Sequence, residues 1–387
     1  MIQSYKVMLL PNNKQRTKLF QSAGTARFAY NWALDYEQQN YHNGGKFISD
    51  KELRKVFTQL KKVDKYRWLN SYSNNITKQA IKDAVGAYKN FFSGVAKFPR
   101  FKTKRRSSPS FYVDTAKIKF TASHVKLEKI ADNNQRNRGQ LNFIRLAEHG
   151  RIPLGVKYLN PRVMFDGLNW WISVAIEFKP SIKTPKNDGL GIDIGVNKLA
   201  VCSNGVVYEN INKAKHVRKL TKKRRRIQRR LSKKYLKNKK GDSYCKTQNI
   251  IKSEKQLLKV NRTLTNIRHN HLHKVTSDIV GREPRFVVLE DLNVRGMMKN
   301  KHLSKVIQEQ EFREFYRQME YKCRWNSIEL VTADRFYSSS KMCCKCGNIK
   351  TDLKLSDRTY VCNKCGNAID RDYQASVNLK RYKEFIA

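Results

Sequence analysis

The chain has 387 residues, of which 80 are Lys or Arg and 32 are Asp or Glu, so its formal net charge is +48. This length predicts two or three domains rather than one core, and a hydrophobic content of 40% excludes a disordered basic tail. No stretch approaches the ~20 apolar residues of a membrane span, and the N-terminal residues lack the order of a signal peptide. We expect a protein of the reducing cell interior whose charge is neutralised by nucleic acid rather than by a membrane surface.

The first half of the chain shows strand and helix patterns in succession. Residues 3–10 predict a strand that ends at Pro11, and apolar residues at helical spacing then predict helices up to about residue 95. Strand-like alternation after residue 112 predicts a small antiparallel barrel or sheet. Cations alternate with aromatic residues at 97–112. This pattern is typical of edge strands with aromatic residues in a core, and equally of aromatic residues that stack on nucleic-acid bases.

The second half begins after a linker predicted at 180–189. Residues 189–209 predict a strand followed by a hairpin, and residues 213–240 and 249–280 predict two helices that form an antiparallel hairpin. Sixteen of the 28 residues at 213–240 are Lys or Arg, and none is Asp or Glu. Because like charges destabilise a free helix, a bound RNA or DNA backbone explains this run better than a solvated helix face does.

Carboxylates stand inside or at an end of three predicted apolar elements. Asp193 lies inside an apolar strand, Glu290 and Asp291 end a second strand, and Asp370 and Asp372 begin the last helix. One such residue alone is ordinarily a helix cap or a turn former. Three of them suggest a site for Mg²⁺ or Mn²⁺, and two such ions ~3.5–4 Å apart activate water at a phosphodiester.

The cysteines predict a structural zinc site. Cys343 and Cys346 form one Cys-x-x-Cys pair, Cys362 and Cys365 form a second, and a glycine follows each pair. Four thiolates at this spacing complete a closed tetrahedral Zn²⁺ site without a catalytic position. Cys344 is a spare thiol that could replace one of these ligands.

Five segments of the chain, in this order, resemble the OrfB/TnpB family of insertion sequences, relatives of the type V CRISPR effector nucleases: "GIDIGVNKLAV", "VVLEDLNVRGM", "DRFYSSSKMCCKCG", "YVCNKCG" and "IDRDYQASVNL". The resemblance implies an α/β + β fold class. A RuvC-like, ribonuclease-H-type nuclease domain would carry an inserted basic helical hairpin and a zinc ribbon. An N-terminal wedge β-barrel would carry an inserted helical recognition module.

The resemblance also implies domain boundaries. They are 1–11 and 97–182 for the wedge-like barrel, 12–96 for the helical recognition module, 183–341 and 367–387 for the RuvC-like domain with its hairpin at about 213–280, and 342–366 for the zinc ribbon.

Site residues follow from the same resemblance. Asp193 and Glu290 match the first and second catalytic carboxylates, and Asp372 is favoured over Asp370 as the third. Gln374 and Ser376 depart from the usual family residues beside this third position. The zinc ligands would be Cys343, Cys346, Cys362 and Cys365. Nucleic-acid contacts are expected from Asn75 and Gln79, the candidates for reading a DNA motif, and from Lys97, Arg100, Lys102, Arg224, Arg225 and Arg226.

The implied function is RNA-guided DNA cleavage. A guide RNA from the transposon end would pair with double-stranded target DNA, and the protein would read a short adjacent motif and cut with two metal ions. We expect a monomeric protein in this ribonucleoprotein, in the cytoplasm of a prokaryote and acting at the nucleoid. A guided repressor without cleavage is one alternative, against which the three acidic positions argue. A guide-independent RuvC-type resolvase or transposase is another, and it would not need the N-terminal modules.

Overall fold

The computed structural model describes residues 1–130, 138–180, 184–241, 243–354 and 356–386. The chain divides into two compact units, Met1–Lys179 and Pro180–Ala387. Residues 131–137 of the predicted barrel and 181–183 of the predicted linker lie outside the described part. Within the described part, no helix has both the length and the apolar character that crossing a bilayer requires.

The first unit combines a sheet with three long helices. Its elements are β1 (Ile2–Leu10), α1 (Asn13–His42), α2 (Asp50–Leu60), a 3-10 helix (Asp64–Ser71), α3 (Asn74–Phe92), β2 (Ser110–Tyr112), β3 (Lys119–Phe120), β4 (His124–Lys126), α4 (Arg138–Leu141), β5 (Phe143–Leu146), β6 (Tyr158–Phe165) and β7 (Trp170–Glu177).

The sheet of the first unit has seven antiparallel strands in the order β2-β6-β7-β1-β5-β4-β3. The predicted strand at 3–10 is confirmed, and it begins one residue earlier than expected. In β7, Trp170 and Ile172 alternate with more exposed residues, as a sheet with one buried face requires. A capping box between Asn12 and Gln15 begins α1 directly after the strand.

The second unit carries a mixed sheet, a long helical hairpin and a small cysteine-rich element. Its elements are β8 (Leu190–Ile194), β9 (Lys198–Cys202), β10 (Val207–Glu209), a 3-10 helix (Ile211–Lys213), α5 (Lys215–Lys237), β11 (Lys239–Lys240), β12 (Ser243–Tyr244), α6 (Gln248–Gly281), β13 (Phe286–Glu290), α7 (Val294–Met297), α8 (Ser304–Gln310), α9 (Phe312–Trp325), β14 (Glu329–Ala333), β15 (Thr359–Val361), β16 (Ala368–Asp370) and α10 (Arg371–Ile386).

The mixed sheet has the order β10-β9-β8-β13-β14. Strands β8, β13 and β14 are parallel, whereas β9 runs antiparallel to both β8 and β10. The strand and hairpin predicted at 189–209 are confirmed as β8, β9 and β10. Helix α9 had no sequence prediction, and it covers the core through the buried side chains of Phe312, Phe315 and Met319.

The helical hairpin predicted at 213–280 is confirmed as α5 and α6. A small apolar cluster joins the two helices through Val217, Ile227, Val260 and Leu264. Most of the cations of α5 are exposed, so this narrow apolar seam is what holds the highly charged α5 against α6.

Gly191 allows α10 to lie directly on β8. A Cβ added there would collide with the backbone of Ser376 and Lys380. Since side chains alternate along a strand, Asp193 lies on the same face of β8 as Gly191. The close approach therefore brings the first turn of α10 towards Asp193.

Gly191→Ala is expected to lower the free energy of unfolding by about 2 kcal/mol or more, because neither backbone can move away without disturbing the core. Urea unfolding measures this change. Gly86→Ala in α3 is the matched control, since no heavy atom lies within 4 Å of its added Cβ, and it should stabilise by roughly 0.5–1 kcal/mol. Equal stability of the Gly191→Ala variant and the wild type would contradict the close approach.

Candidate functional site

Two predicted carboxylates lie side by side at the ends of parallel strands. Leu289 of β13 pairs with Ile192 of β8, so the next residues along the two strands are Glu290 and Asp193. Adjacent strands are about 4.8 Å apart, which brings the two side chains to one edge of the sheet. Asp372, the second residue of α10, lines the same cavity of about 800 Å³. Three segments far apart in sequence thus contribute carboxylates to one site.

Burial and mutual repulsion govern the ionisation of this site. Burial, followed by the charges of Glu290 and Asp372, raises the pKa of Asp193 well above its ordinary value. Burial also raises the pKa of Glu290, and a hydrogen bond from Ser339 partly offsets the increase. A divalent cation would offset the charges of Glu290 and Asp372 that add to the burial effect on Asp193, and carboxylate oxygens are the ligands that Mg²⁺ prefers. The residues present therefore fit a magnesium site.

The structure distinguishes the two acids at the start of the last helix. Asp370 accepts a hydrogen bond from the backbone N–H of Tyr373 at 2.9 Å and lies 3.4 Å from the ammonium of Lys198. Asp372 instead lines the cavity, with Arg371 at 3.3 Å. Asp370 therefore acts as a helix cap, and Asp372 is the acid beside Asp193 and Glu290.

Cations line the same cavity as the three carboxylates. They are Lys213, Arg218, Lys341, Lys354, Arg358 and Arg371. Carboxylates and cations together suit a phosphodiester with a divalent ion, because the cations can hold phosphate oxygens while the carboxylates hold the metal.

The four predicted zinc ligands come together in space. The Sγ atoms of Cys343 and Cys365 are 3.6 Å apart, as are those of Cys346 and Cys362, and all four lie within 4.8 Å of one another. Zn–S bonds of ~2.3 Å in a tetrahedron place sulfurs about 3.8 Å apart, so the cluster fits Zn²⁺. In the described part of the chain, no other set of three or more His, Cys, Asp or Glu ligands is as closely grouped.

The turns of this cluster use the glycines that follow the two Cys-x-x-Cys pairs in the sequence. Gly347 and Gly366, one after each Cys-x-x-Cys pair, have φ values of 74° and 68°, a left-handed conformation that favours glycine. Cys344 is buried beside the first pair but is not one of the four clustered thiols.

The predicted nucleic-acid contacts of the first unit have different environments. Asn75 lines a cavity of about 630 Å³ with several cations, whereas Gln79 donates a 2.8 Å hydrogen bond to Asp83 beside a separate cavity. Lys97 and Arg100 are exposed. Lys102 lies over the ring of Tyr30, 3.6 Å from its centre, and burial lowers the pKa of its amine.

The aromatic residues at 97–112 divide between two environments. Phe111 is buried in the core, whereas Phe98 and Phe101 are about half exposed. The sequence left open whether these rings pack in the core or stack on bases. Phe111 packs in the core, and Phe98 and Phe101 are accessible for stacking.

The three predicted arginines of α5 also differ. Arg225 and Arg226 are exposed, and Arg226 lines a cavity of about 1010 Å³ whose other charged residues are all Lys or Arg. Arg224 is half-buried, 3.6 Å from Glu309, which also lies 3.3 Å from Arg268. Arg224 therefore helps to hold α5 in place, while its two neighbours are free to meet a phosphate backbone.

Sequence reasoning missed the residues that surround the carboxylates. Ser339 donates a hydrogen bond to Glu290, and Asn378 holds the loop that carries Ser339. Both residues lie inside quoted segments, Asn378 in "IDRDYQASVNL" and Ser339 in "DRFYSSSKMCCKCG", and this was the available signal. Ser339 is one of three consecutive serines, so the segment alone does not single it out.

Comparisons with known proteins match successive parts of the chain. A family model described as "Helix-turn-helix domain", of the OrfB proteins of IS605, matches residues 1–46. One described as "Probable transposase" matches 172–301, and one described as "Cas12f1-like, TNB domain" matches 312–379. The chain is therefore similar, over successive parts of its length, to the OrfB/TnpB proteins of insertion sequences.

Relatives align with this chain along nearly its whole length. A Streptomyces pristinaespiralis protein named "Putative RNA-guided DNA endonuclease" is 28% identical over 97% of this chain and 88% of its own. The Escherichia coli K12 protein named "Putative RNA-guided DNA endonuclease InsQ" is 28% identical over 98% of this chain and 91% of its own.

The fold is similar to that of a solved Cas12f1 protein. The protein in a Cas12f1–sgRNA–target DNA complex matches with a TM-score of 0.59 and 16% identity, over 95% of this chain and 82% of its own. The fold class expected for the OrfB/TnpB family, with mixed sheets, helices and a four-cysteine cluster, is therefore confirmed at this coarse level.

Proposed function

We propose that this chain is an RNA-guided DNA endonuclease encoded by an insertion sequence. The observation that carries the proposal is the convergence of Asp193, Glu290 and Asp372 on one cation-lined cavity. Relatives named as RNA-guided DNA endonucleases align over nearly the full chain. A guide RNA and double-stranded target DNA are the partners proposed here, and both are polyanions that a net charge of +48 suits.

We infer further that the second unit is a RuvC-like nuclease domain. Its sheet order and strand directions, with β9 as the antiparallel member, support a ribonuclease-H-type arrangement. In this proposal the α5–α6 hairpin and the zinc ribbon at 342–366 are insertions. The barrel at 1–11 and 97–182 and the recognition module at 12–96 form the first half.

The proposed reaction is hydrolysis of a phosphodiester. Asp193, Glu290 and Asp372 would hold magnesium, which when bound would supply an activated water and neutralise charge on the leaving oxygen. Burial of the carboxylates makes their attraction for a cation stronger than it would be in water. Arg371 and Lys341 line the same cavity and would hold the phosphate that is to be cut.

Sequencing of the RNA that co-purifies with the protein, expressed beside its native flanking DNA, tests this function. We expect one dominant species with a fixed scaffold and a variable end. The same particle should cut a plasmid that carries the matching target in the presence of Mg²⁺. A heterogeneous mixture of RNA would contradict a guide and would favour a guide-independent resolvase. A defined RNA with target binding but no cutting would favour a guided repressor.

A further inference from the structure

We propose that Ser339 is a positioning residue for Glu290, and that it connects the base of the cysteine cluster to the carboxylate site. This inference rests on the proposed function, because it concerns how Glu290 is held for a divalent ion. Ser339 lies in the loop between β14 and Cys343, the first ligand of the cysteine cluster. It touches both the carboxylate site and the structure that supports the cluster.

The first step is the contact between Ser339 and Glu290. Ser339 is 3% exposed, and its hydroxyl donates a hydrogen bond to Oε1 of Glu290. Within the described part of the chain, this hydroxyl is the side chain that hydrogen-bonds the Glu290 carboxylate. The bond fixes the plane of the carboxylate and leaves Oε2 for a cation.

The second step is the support of Ser339 itself. Asn378 of α10 is fully buried, and its Nδ2 donates to the carbonyl oxygen of Ser339 at 2.7 Å and to that of Met342 at 2.6 Å. Met342 directly precedes Cys343. The hydroxyl of Tyr337 donates to the carbonyl oxygen of Asn378 at 3.0 Å, which closes the arrangement from the other side. One amide thus holds both ends of a four-residue loop.

These contacts form a continuous path from the cysteine cluster to a proposed metal ligand. The path runs from Cys343 through Met342 and Asn378 to Ser339 and then to Glu290. Hydrogen-bond partners of a ligating carboxylate fix its orientation, and their loss typically costs 10–100-fold in metal affinity. Loss of the Ser339 hydroxyl should therefore weaken divalent-ion binding without removing a ligand.

Titration of the zinc-loaded full chain with Mn²⁺ tests the inference, with free Mn²⁺ measured by electron paramagnetic resonance. The Asp193→Ala variant defines the carboxylate-dependent part of the binding. Ser339→Ala should raise the dissociation constant of that part about tenfold. Ser339→Thr keeps the hydroxyl and should restore most of the affinity. Ser338→Ala is the matched control, because Ser338 is the same residue type one position earlier and, within the described residues, its hydroxyl forms no hydrogen bond with Glu290. It should leave binding unchanged.

A second variant examines the connection to the cysteine cluster. Asn378→Ala removes the amide that holds the loop and should weaken Mn²⁺ binding in the same direction as Ser339→Ala. Thermal unfolding identifies variants that fail to fold. If Asn378→Ala does not fold, the Mn²⁺ titration of Ser339→Ala decides the test.

The outcomes separate this inference from the proposed function. If Asp193→Ala abolishes a Mn²⁺ site and Ser339→Ala retains the wild-type dissociation constant, the positioning role is wrong and the metal site stands. If Asp193→Ala binds Mn²⁺ as the wild type does, the metal site itself is wrong, and the role of Ser339 is overturned with it.

Discussion

Asp193→Ala should lower the rate of guided DNA cleavage by a thousandfold or more, because several kcal/mol of metal-dependent stabilisation are lost and each ~1.4 kcal/mol is a factor of ten in rate. Binding of guide RNA and target DNA should change by less than about twofold, since phosphate contacts by exposed cations supply most of the affinity. Single-turnover cleavage of a labelled target and a parallel gel-shift titration measure the two quantities.

Asp291→Asn is the matched control for this experiment. Asp291 follows Glu290 at the end of β13 but forms an ion pair with Arg335 and does not line the carboxylate cavity. Its loss should leave cleavage close to the wild-type rate. Persistent cutting by Asp193→Ala would show that the carboxylate assignment is wrong, whatever the behaviour of the control.

Cys362→Ser should remove the bound zinc and destabilise the second unit by several kcal/mol, because metal binding at a four-thiolate site contributes directly to folding. At roughly 2–4 °C per kcal/mol, the melting temperature should fall by about 10 °C or more. Atomic absorption gives the zinc content, and scanning calorimetry gives the unfolding temperature.

Two other cysteines provide controls for the zinc experiment. Cys245 is exposed and lies outside the cluster, so Cys245→Ser should keep both zinc and stability. Cys344→Ser should keep zinc as well, because the Cys344 thiol is not one of the four clustered ligands. An unchanged zinc content in Cys362→Ser would refute the ribbon, and loss of zinc in Cys344→Ser would show that the spare thiol is a ligand.

The sequence singled out the carboxylates that we propose as metal ligands, because charge inside an apolar strand is conspicuous. Asp193 and Glu290 could each be recognised in this way, whereas their adjacency depends on the parallel pairing of β8 with β13, which no local pattern shows. The family resemblance favoured Asp372 over Asp370, and the structure adds that Asp372 lines the cavity whereas Asp370 caps α10. The four cysteines needed no tertiary information, since their spacing defines the site.

Other features of the structure were not predicted from the sequence, for different physical reasons. Helix α9 could have been predicted, because Phe312, Phe315 and Met319 recur at helical spacing. The contact of Ser339 with Glu290 could not have been predicted, because the role of a serine hydroxyl depends on the group that tertiary folding places beside it. Lys102 was expected to contact nucleic acid on the basis of a cationic run, and its packing over Tyr30 depends on a contact between distant segments.

The position of Asp372 in chain order has a consequence during protein synthesis. Asp193 and Glu290 leave the ribosome first, but the carboxylate cavity also needs Asp372 on the last helix, held against β8 at Gly191. Domains begin to fold from the N-terminus as the chain grows, so the cations proposed to bind nucleic acid are exposed before Asp372 is made. Under the proposed function, a nascent chain, or one ended early by a premature stop codon, should hold RNA without cutting the DNA of its host.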